Sequence, residues 1–167
     1  AANHRMKFLD IPPLKTEDSQ VALEISKPLF RELADPQIGA KIVQTDWSAF
    51  ARTDVVEEKD APDTKYIWTD GEVPTHMEKF DGDLKKVEFL KAFIGYLPYQ
   101  TKQVKRALCI GPGGGMDILL GLLANTSEID GVEVNPSIIR IMGQYANFNG
   151  RIYEHPDVHI TVGDGRT

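Results

Sequence analysis

Cysteine is almost absent from this chain. A single one, Cys109, among 167 residues rules out an internal disulfide, and the composition fits a reducing, cytoplasmic setting. Cys109 lies in a short apolar run and reads as a small buried hydrophobe. Long hydrophobic runs are missing too. None approaches the ~18–20 residues of a membrane span, so direct membrane insertion by this chain is not expected. Positive charge is not in excess: 19 Lys and Arg stand against 25 Asp and Glu, a net charge of −6. The basic residues are scattered, and without a basic stripe nucleic acid is not an expected partner. The four histidines, His4, His76, His155 and His159, show no metal-ligand spacing, so no metal is expected. His155 and His159 are four apart, but Pro156 between them excludes a shared helix face. No G-x-S-x-G nucleophile motif occurs.

What remains is ordinary in amount: 41% hydrophobic and 26% charged residues, enough for one compact domain or a domain with a small appendage. Residues 1–17, with Pro12-Pro13, read as an extended lead-in. The opening Ala1-Ala2-Asn3-His4 fits neither a signal peptide nor an initiator. It suggests a processed start or a piece of a longer protein, a membrane-anchored one included. Pro28 suits the first turn of a short helix carrying Leu29, Phe30 and Leu33, which Asp35-Pro36 ends. Lys41 to Gln44, Phe50 to Val56 and Tyr66 to Trp68 read as short strands, and Asp70-Gly71 as a turn. Asp83 to Leu97 reads as one amphipathic helix, N-capped by Asp83, with Leu84, Val87, Leu90, Phe93, Ile94 and Leu97 on its apolar face.

The most informative stretch is Ala107-Leu-Cys-Ile-Gly-Pro-Gly-Gly-Gly-Met-Asp117. A buried strand runs into glycines and then into a helix, an arrangement that sets a ligand against bare backbone at a helix N-terminus. The dinucleotide pattern G-x-G-x-x-G fails, because its sixth position is Met116. The pattern present is G-x-G-x-G, with Gly111, Gly113 and Gly115, and Gly114 between them. Unaided, the turn is equally readable as a tight βα connection with no ligand. A second strand, Ile129 to Val134, carries Glu133 near its end, 22 positions after Gly111. An acid roughly 20 positions past such a turn accepts hydrogen bonds from ribose hydroxyls. A third strand, Val158 to Val162, ends in Gly163-Asp164-Gly165, where Asp164 is placed to accept from an exocyclic amine such as adenine N6. As a lone dipeptide Asp-Gly is simply a turn; the series of turn, Glu133 and Asp164 favours a site.

These residues carry a resemblance. Leu108-Cys109-Ile110-Gly111, Val132-Glu133-Val134-Asn135-Pro136 and Val162-Gly163-Asp164-Gly165 resemble the nucleoside-binding half of the polyamine (spermidine and spermine) synthases. That family lies within the S-adenosylmethionine-dependent methyltransferase superfold. Thr69-Asp70-Gly71 and Leu97-Pro98 resemble its upstream landmarks. The resemblance implies an α/β fold: a Rossmann-like parallel sheet of the class I methyltransferase type, truncated after its third core strand, with a small β-rich N-terminal region. The chain divides accordingly into 1–78 (extended and β-rich), 79–103 (a linking helix) and 104–167 (a βαβαβ half-domain).

The implied site is Gly111, Gly113, Gly114, Gly115, Glu133, Asn135, Asp164 and Gly165, with Glu133 on the ribose and Asp164 on the adenine. The implied donor is S-adenosylmethionine or its decarboxylated form, with aminopropyl transfer to a polyamine in the intact protein. Three departures keep other readings open, the first being that the Tyr-His/Gln-Glu segment the family carries after its Asp-Gly turn is absent, Thr75-His76-Met77-Glu78 standing there. The family's glycine loop carries an aspartate that helps bind the amine substrate, and the matching position here is Gly114. Its catalytic aspartate segment follows the next strand and has no counterpart up to Thr167, so no catalytic residue is assigned. A methyltransferase on another acceptor is the second reading, and a non-catalytic nucleoside-binding or scaffolding domain the third. A nicotinamide-dependent oxidoreductase is disfavoured by Met116. Three parallel strands leave one sheet flank and one bonding edge uncovered, which predicts either a longer chain or a homo-oligomer. Gln44 and Asp70 are weaker candidates for reaching a ligand.

Overall fold

A computed structural model describes residues 27–166; the lead-in expected over 1–17 lies outside them. The first helix, α1 (Pro28–Ala34), opens on its proline and is closed by Asp35, as the sequence predicts. Four strands follow: β1 (Lys41–Trp47), β2 (Arg52–Glu57), β3 (Thr64–Thr69) and β4 (Val73–Glu78). They form an antiparallel meander in the order β1-β2-β3-β4. One face packs under α1, where Leu29, Val56 and Trp68 are fully buried. The other face contributes Val55, Ile67 and Met77 to the main core. Because both faces are covered, β2 is buried from Arg52 to Val56. The charge this buries is compensated in place: Arg52 Nε donates to Asp54 at 2.8 Å, and Thr45 Oγ1 donates to the same carboxylate at 2.6 Å.

Strand β4 has no counterpart in the sequence reading. Pro74 argues against a strand because it cannot donate to a ladder. The meander makes β4 an edge strand, the one place in a sheet that tolerates proline.

Residues 84–97 correct a second expectation. They form no single α-helix but a 3₁₀ segment, Leu84–Ala92, a 3₁₀ turn, Ile94–Tyr96, and a short helix, α2 (Leu97–Thr101). Asp83 does cap the first piece, accepting from Lys85 N–H at 3.0 Å. Leu84, Val87 and Leu90 recur every third residue, which is the 3₁₀ period rather than 3.6. Phe93 then leaves helical geometry (φ −72°, ψ 141°). Val87 and Leu90 are therefore buried, whereas Phe93, Ile94 and Leu97 are exposed.

From residue 106 the order is β5 (Arg106–Ile110), α3 (Met116–Leu123), β6 (Glu128–Glu133), α4 (Pro136–Gln144), α5 (Ala146–Asn149) and β7 (Val158–Val162). β5, β6 and β7 are parallel with β6 in the middle. Parallel pairs need crossover connections of one hand, and these helices cover one face of the sheet. There Cys109, Ile129 and Val158 join Ile118, Leu119, Ile138 and Ile141 in the core. On the opposite face Leu108 and Ile110 are 63% and 66% exposed. The expected α/β architecture, a Rossmann-like parallel sheet with an antiparallel β region before it, is what the chain adopts.

Cys109 is buried as expected, and burial, with a smaller contribution from Asp117, pushes its thiol up to about 11. Such a thiol stays protonated at neutral pH and carries little nucleophile. Iodoacetamide at pH 8 is expected to alkylate Cys109 in the folded chain about 100-fold more slowly than in urea, since the thiolate is the reactive form. Equal rates in both conditions would show an accessible thiol.

Candidate functional site

The carboxyl ends of β5, β6 and β7 converge on one edge of the parallel sheet, the edge where ligands bind in open α/β folds. Three loops leave it: 111–115 after β5, 134–135 after β6 and 163–166 after β7.

The first loop turns sharply. Gly111, Gly113 and Gly115 all have positive φ (+70°, +56° and +89°), which other residues adopt only under strain. Gly111 N–H donates to Val132 O at 2.8 Å, tying the turn to β6, and Gly115 N–H donates to Pro112 O at 2.8 Å. Gly115 is the residue from which α3 starts. The helix thus aims the positive end of its dipole at the turn.

The glycines differ in what faces them. A side chain on Gly111 would meet open space, whereas a Cβ on Gly113 would lie 2.4 Å from Thr75 Oγ1. On Gly114 it would lie 2.0 Å from the carbonyl oxygen of His76, and on Gly115 2.1 Å from Ile152 Cδ1. Strand β4 therefore crosses directly over Gly113 and Gly114, and of these four positions only Gly111 offers bare backbone to a visitor.

Glu133 lies at this turn. Its side chain is 3% exposed. One carboxylate oxygen accepts Gly113 N–H at 3.2 Å and the other accepts Asn135 N–H at 2.9 Å. The residue that was read as a ribose acceptor also clamps the turn to the end of β6. A carboxylate offers about four lone-pair positions, so two amide bonds do not exhaust it.

Asn135 is engaged at both ends of its side chain. Its oxygen caps α4 by accepting Ser137 N–H at 3.0 Å, and its Nδ2 donates to Thr53 Oγ1 at 2.9 Å. Asp164 stands on the third loop and pairs with Arg166, whose Nε donates at 2.9 Å. That side-chain hydrogen bond, reinforced by the Arg166 backbone N–H, holds the Asp164 carboxyl below the usual carboxylate range. Asp164 therefore stays an ionised acceptor well below neutral pH. Gly165 packs so close to β5 that a Cβ there would lie 2.6 Å from Ile110 Cγ2. The third loop thus sits beside the end of β5.

Several residues that shape the turn carry no motif. Thr75 Oγ1 accepts Gly114 N–H at 2.9 Å. Tyr153 donates its hydroxyl to Gly113 O at 2.7 Å, and burial first, then Glu133 and Cys109, raises its pKa. Two sequence signals point to Thr75: the alternation through Val73, Thr75 and Met77, which Pro74 obscures, and the place of Thr75-His76-Met77-Glu78 after the Asp70-Gly71 turn. The weaker candidates turn elsewhere. Gln44 bonds Gln144 on α4 at 2.5 Å, and Asp70 accepts the Arg52 N–H at 3.0 Å, tying its turn to the start of β2. No group of three or more His, Cys, Asp or Glu is placed to hold a metal among the described residues.

Comparison with known proteins bears on the architecture. The chain aligns with a spermidine synthase solved in complex with the transition-state analogue AdoDATO at a TM-score of 0.54 and 20% identity. The fold is that of the spermidine synthases. The Thermotoga maritima spermidine synthase gives a TM-score of 0.55 at 20% identity. A probable spermidine synthase from Corynebacterium glutamicum gives 0.54 at 18%. Each alignment covers 75% of this chain but only 41%, 40% and 46% of the respective solved chains. This chain thus spans less than half the length of the spermidine synthases it matches. No protein-family model and no curated protein matches the sequence. No helix is long and apolar enough to cross a membrane among the described residues.

Proposed function

We propose that this is the adenosyl-donor-binding region of a spermidine synthase-like transferase, taking S-adenosylmethionine or its decarboxylated form. The observation that carries the reading is Glu133: its carboxylate sits against the Gly113 amide, where the three strand ends converge beside the uncovered Gly111. In this reading Gly111 is the open floor, Gly113, Gly114 and Gly115 shape the turn that presents it, Glu133 and Asn135 form the sugar side, and Asp164 and Gly165 the base side. Ribose hydroxyls bond the remaining lone pairs of Glu133, and adenine N6 donates to Asp164.

The transfer proposed for the intact protein is of an aminopropyl group to a polyamine. The acceptor nitrogen attacks the carbon beside the sulfonium, the C–S bond breaks, and the electron pair leaves on sulfur as a neutral thioether. The new ammonium then loses a proton. Alkylamines have a pKa near ~10, so a base must supply the neutral nucleophile; no described residue is assigned that role. What these residues contribute is binding and alignment. Methyl transfer to another acceptor is the second reading, favoured by Gly114, which brings no carboxylate to hold an amine. In either case the setting is a cytoplasmic one. The exposed face at Leu108 and Ile110 is covered by a second copy or by more of a longer chain.

Titration calorimetry tests the reading with methylthioadenosine, S-adenosylmethionine, decarboxylated S-adenosylmethionine and NAD. Methylthioadenosine and at least one sulfonium donor are expected to bind, and NAD is not. Asp164→Ala is expected to weaken methylthioadenosine about tenfold, the loss of roughly one charge-assisted hydrogen bond. Silence from every adenosyl ligand, or binding of NAD alone, would remove the nucleoside site.

A further inference from the structure

Gly113, Gly114 and Gly115 follow one another beside Glu133, and no side chain of their own limits how their peptides rotate. A carboxylate that is to meet two ribose hydroxyls gains affinity when its supports are fixed before the ligand arrives. Here the fixing comes from outside the turn. The peptide joining Gly113 to Gly114 is held at both ends. Its carbonyl oxygen accepts the Tyr153 hydroxyl at 2.7 Å, and its N–H donates to Thr75 Oγ1 at 2.9 Å. The peptide before it, joining Pro112 to Gly113, donates its N–H to Glu133 at 3.2 Å. Gly113 therefore connects the peptide that Tyr153 holds to the amide that Glu133 holds.

Tyr153 is itself well anchored. It stands in the 3₁₀ turn Ile152–Glu154, entered through Gly150 and Arg151, both at positive φ. Its neighbour Ile152 is fully buried and reaches under Gly115. Burial, and then the charge of Glu133, raises the Tyr153 pKa, so the phenol keeps its proton at neutral pH. That proton goes to the Gly113 carbonyl and not to Glu133. The carboxylate thus keeps for a ligand the lone pairs that its two amides leave open.

Resting on the nucleoside site proposed above, we propose that Tyr153 is a positioning residue of that site. Through the Gly113 carbonyl it sets the plane of the Gly113–Gly114 peptide, and with it the direction in which the Gly113 amide holds Glu133 toward the ribose. Tyr153 touches no ligand. Without its hydroxyl the peptide turns more freely about Gly113, and the ligand must order the carboxylate as it binds.

Calorimetry on the 167-residue chain tests this with adenosine and 2′,3′-dideoxyadenosine, which share a base and differ only in the two hydroxyls. In the unaltered chain adenosine is expected to bind about 100-fold more tightly, roughly tenfold for each hydroxyl bonded to a carboxylate. In Tyr153→Phe, which keeps the ring, that ratio is expected to fall to about tenfold, with the dideoxy affinity unchanged. A merely structural role would lower the melting temperature and leave the ratio where it was, and that result overturns the proposal. Thr75→Val frees the other end of the same peptide and is expected to lower the ratio in the same direction. It decides the matter if Tyr153→Phe does not fold, and a ratio it leaves unmoved also overturns the proposal. If neither adenosine nor methylthioadenosine binds the unaltered chain, the nucleoside site fails and this proposal fails with it. A full hydroxyl preference that Tyr153→Phe does not change refutes the positioning role alone.

Discussion

Replacing Glu133 by alanine is expected to remove nucleoside binding and to cost the fold about 4 kcal/mol. Both effects have one cause. The side chain is buried and accepts two backbone amides, those of Gly113 and Asn135. Its removal leaves two buried N–H groups unpaired at roughly 1–3 kcal/mol each. From the sequence, loss of nucleoside affinity alone would be expected; the buried clamp adds the loss of stability. Urea denaturation measures it, and methylthioadenosine titration measures the site. Glu133→Gln separates the two roles. It keeps one carbonyl oxygen for one amide but turns an NH₂ toward the other, so it is expected to lose about half as much stability. A Glu133→Ala chain as stable as the unaltered one would show that the carboxylate does not hold the turn.

The second large effect is expected at Gly114. An alanine there would set its methyl 2.0 Å from a main-chain oxygen, that of His76. The obstacle is a strand rather than the tip of a side chain, so relief requires β4 to lift from the loop. That breaks the Thr75 hydrogen bond to the Gly114 amide and disturbs the main core, to which Met77 on the same strand belongs. Overpacking of this kind costs about 3 kcal/mol, a fall in melting temperature of roughly 6–12 °C at this chain length. Gly115→Ala provides the contrast in kind. Its clash is with the end of one buried side chain, that of Ile152, rather than with a strand, and the positive φ of +89° adds about 1–2 kcal/mol. A Gly114→Ala chain that melts within 2 °C of the original would mean that β4 does not lie over the loop.

These two positions explain why glycine recurs in the turn. The spacing suggested that bare backbone is kept for a ligand. For Gly111 the geometry agrees, because nothing of the protein faces it. For Gly113, Gly114 and Gly115 the neighbour is the chain itself: Thr75, His76 and Ile152. A glycine-rich motif read along the sequence cannot distinguish room for a visitor from room for another strand.

The local features were written in local patterns. β5, β6 and β7 announce themselves as short apolar or alternating runs. The turn announces itself through its glycines, and Glu133 and Asp164 through their position at strand ends. Each depends on residues within a few positions of one another, and the hand of parallel crossovers then leaves few ways to assemble them. The 3₁₀ segment Leu84–Ala92 was also legible, in the three-residue spacing of Leu84, Val87 and Leu90, but Phe93, Ile94 and Leu97 extend that spacing into an apparent α-helical face.

Tertiary structure alone decided what covers the turn. Thr75 meets Gly114 across 39 positions of sequence, Tyr153 meets Gly113 across 40, and Asn135 meets Thr53 across 82. No periodicity or spacing rule reaches that far. These contacts exist because the antiparallel meander packs its Val55, Ile67 and Met77 face into the same core as α3 and α4. Burying that apolar face is what carries Thr75 onto the loop. A hydroxyl on an unremarkable edge strand becomes part of a site only when the hydrophobic packing beside it sets where the strand lies.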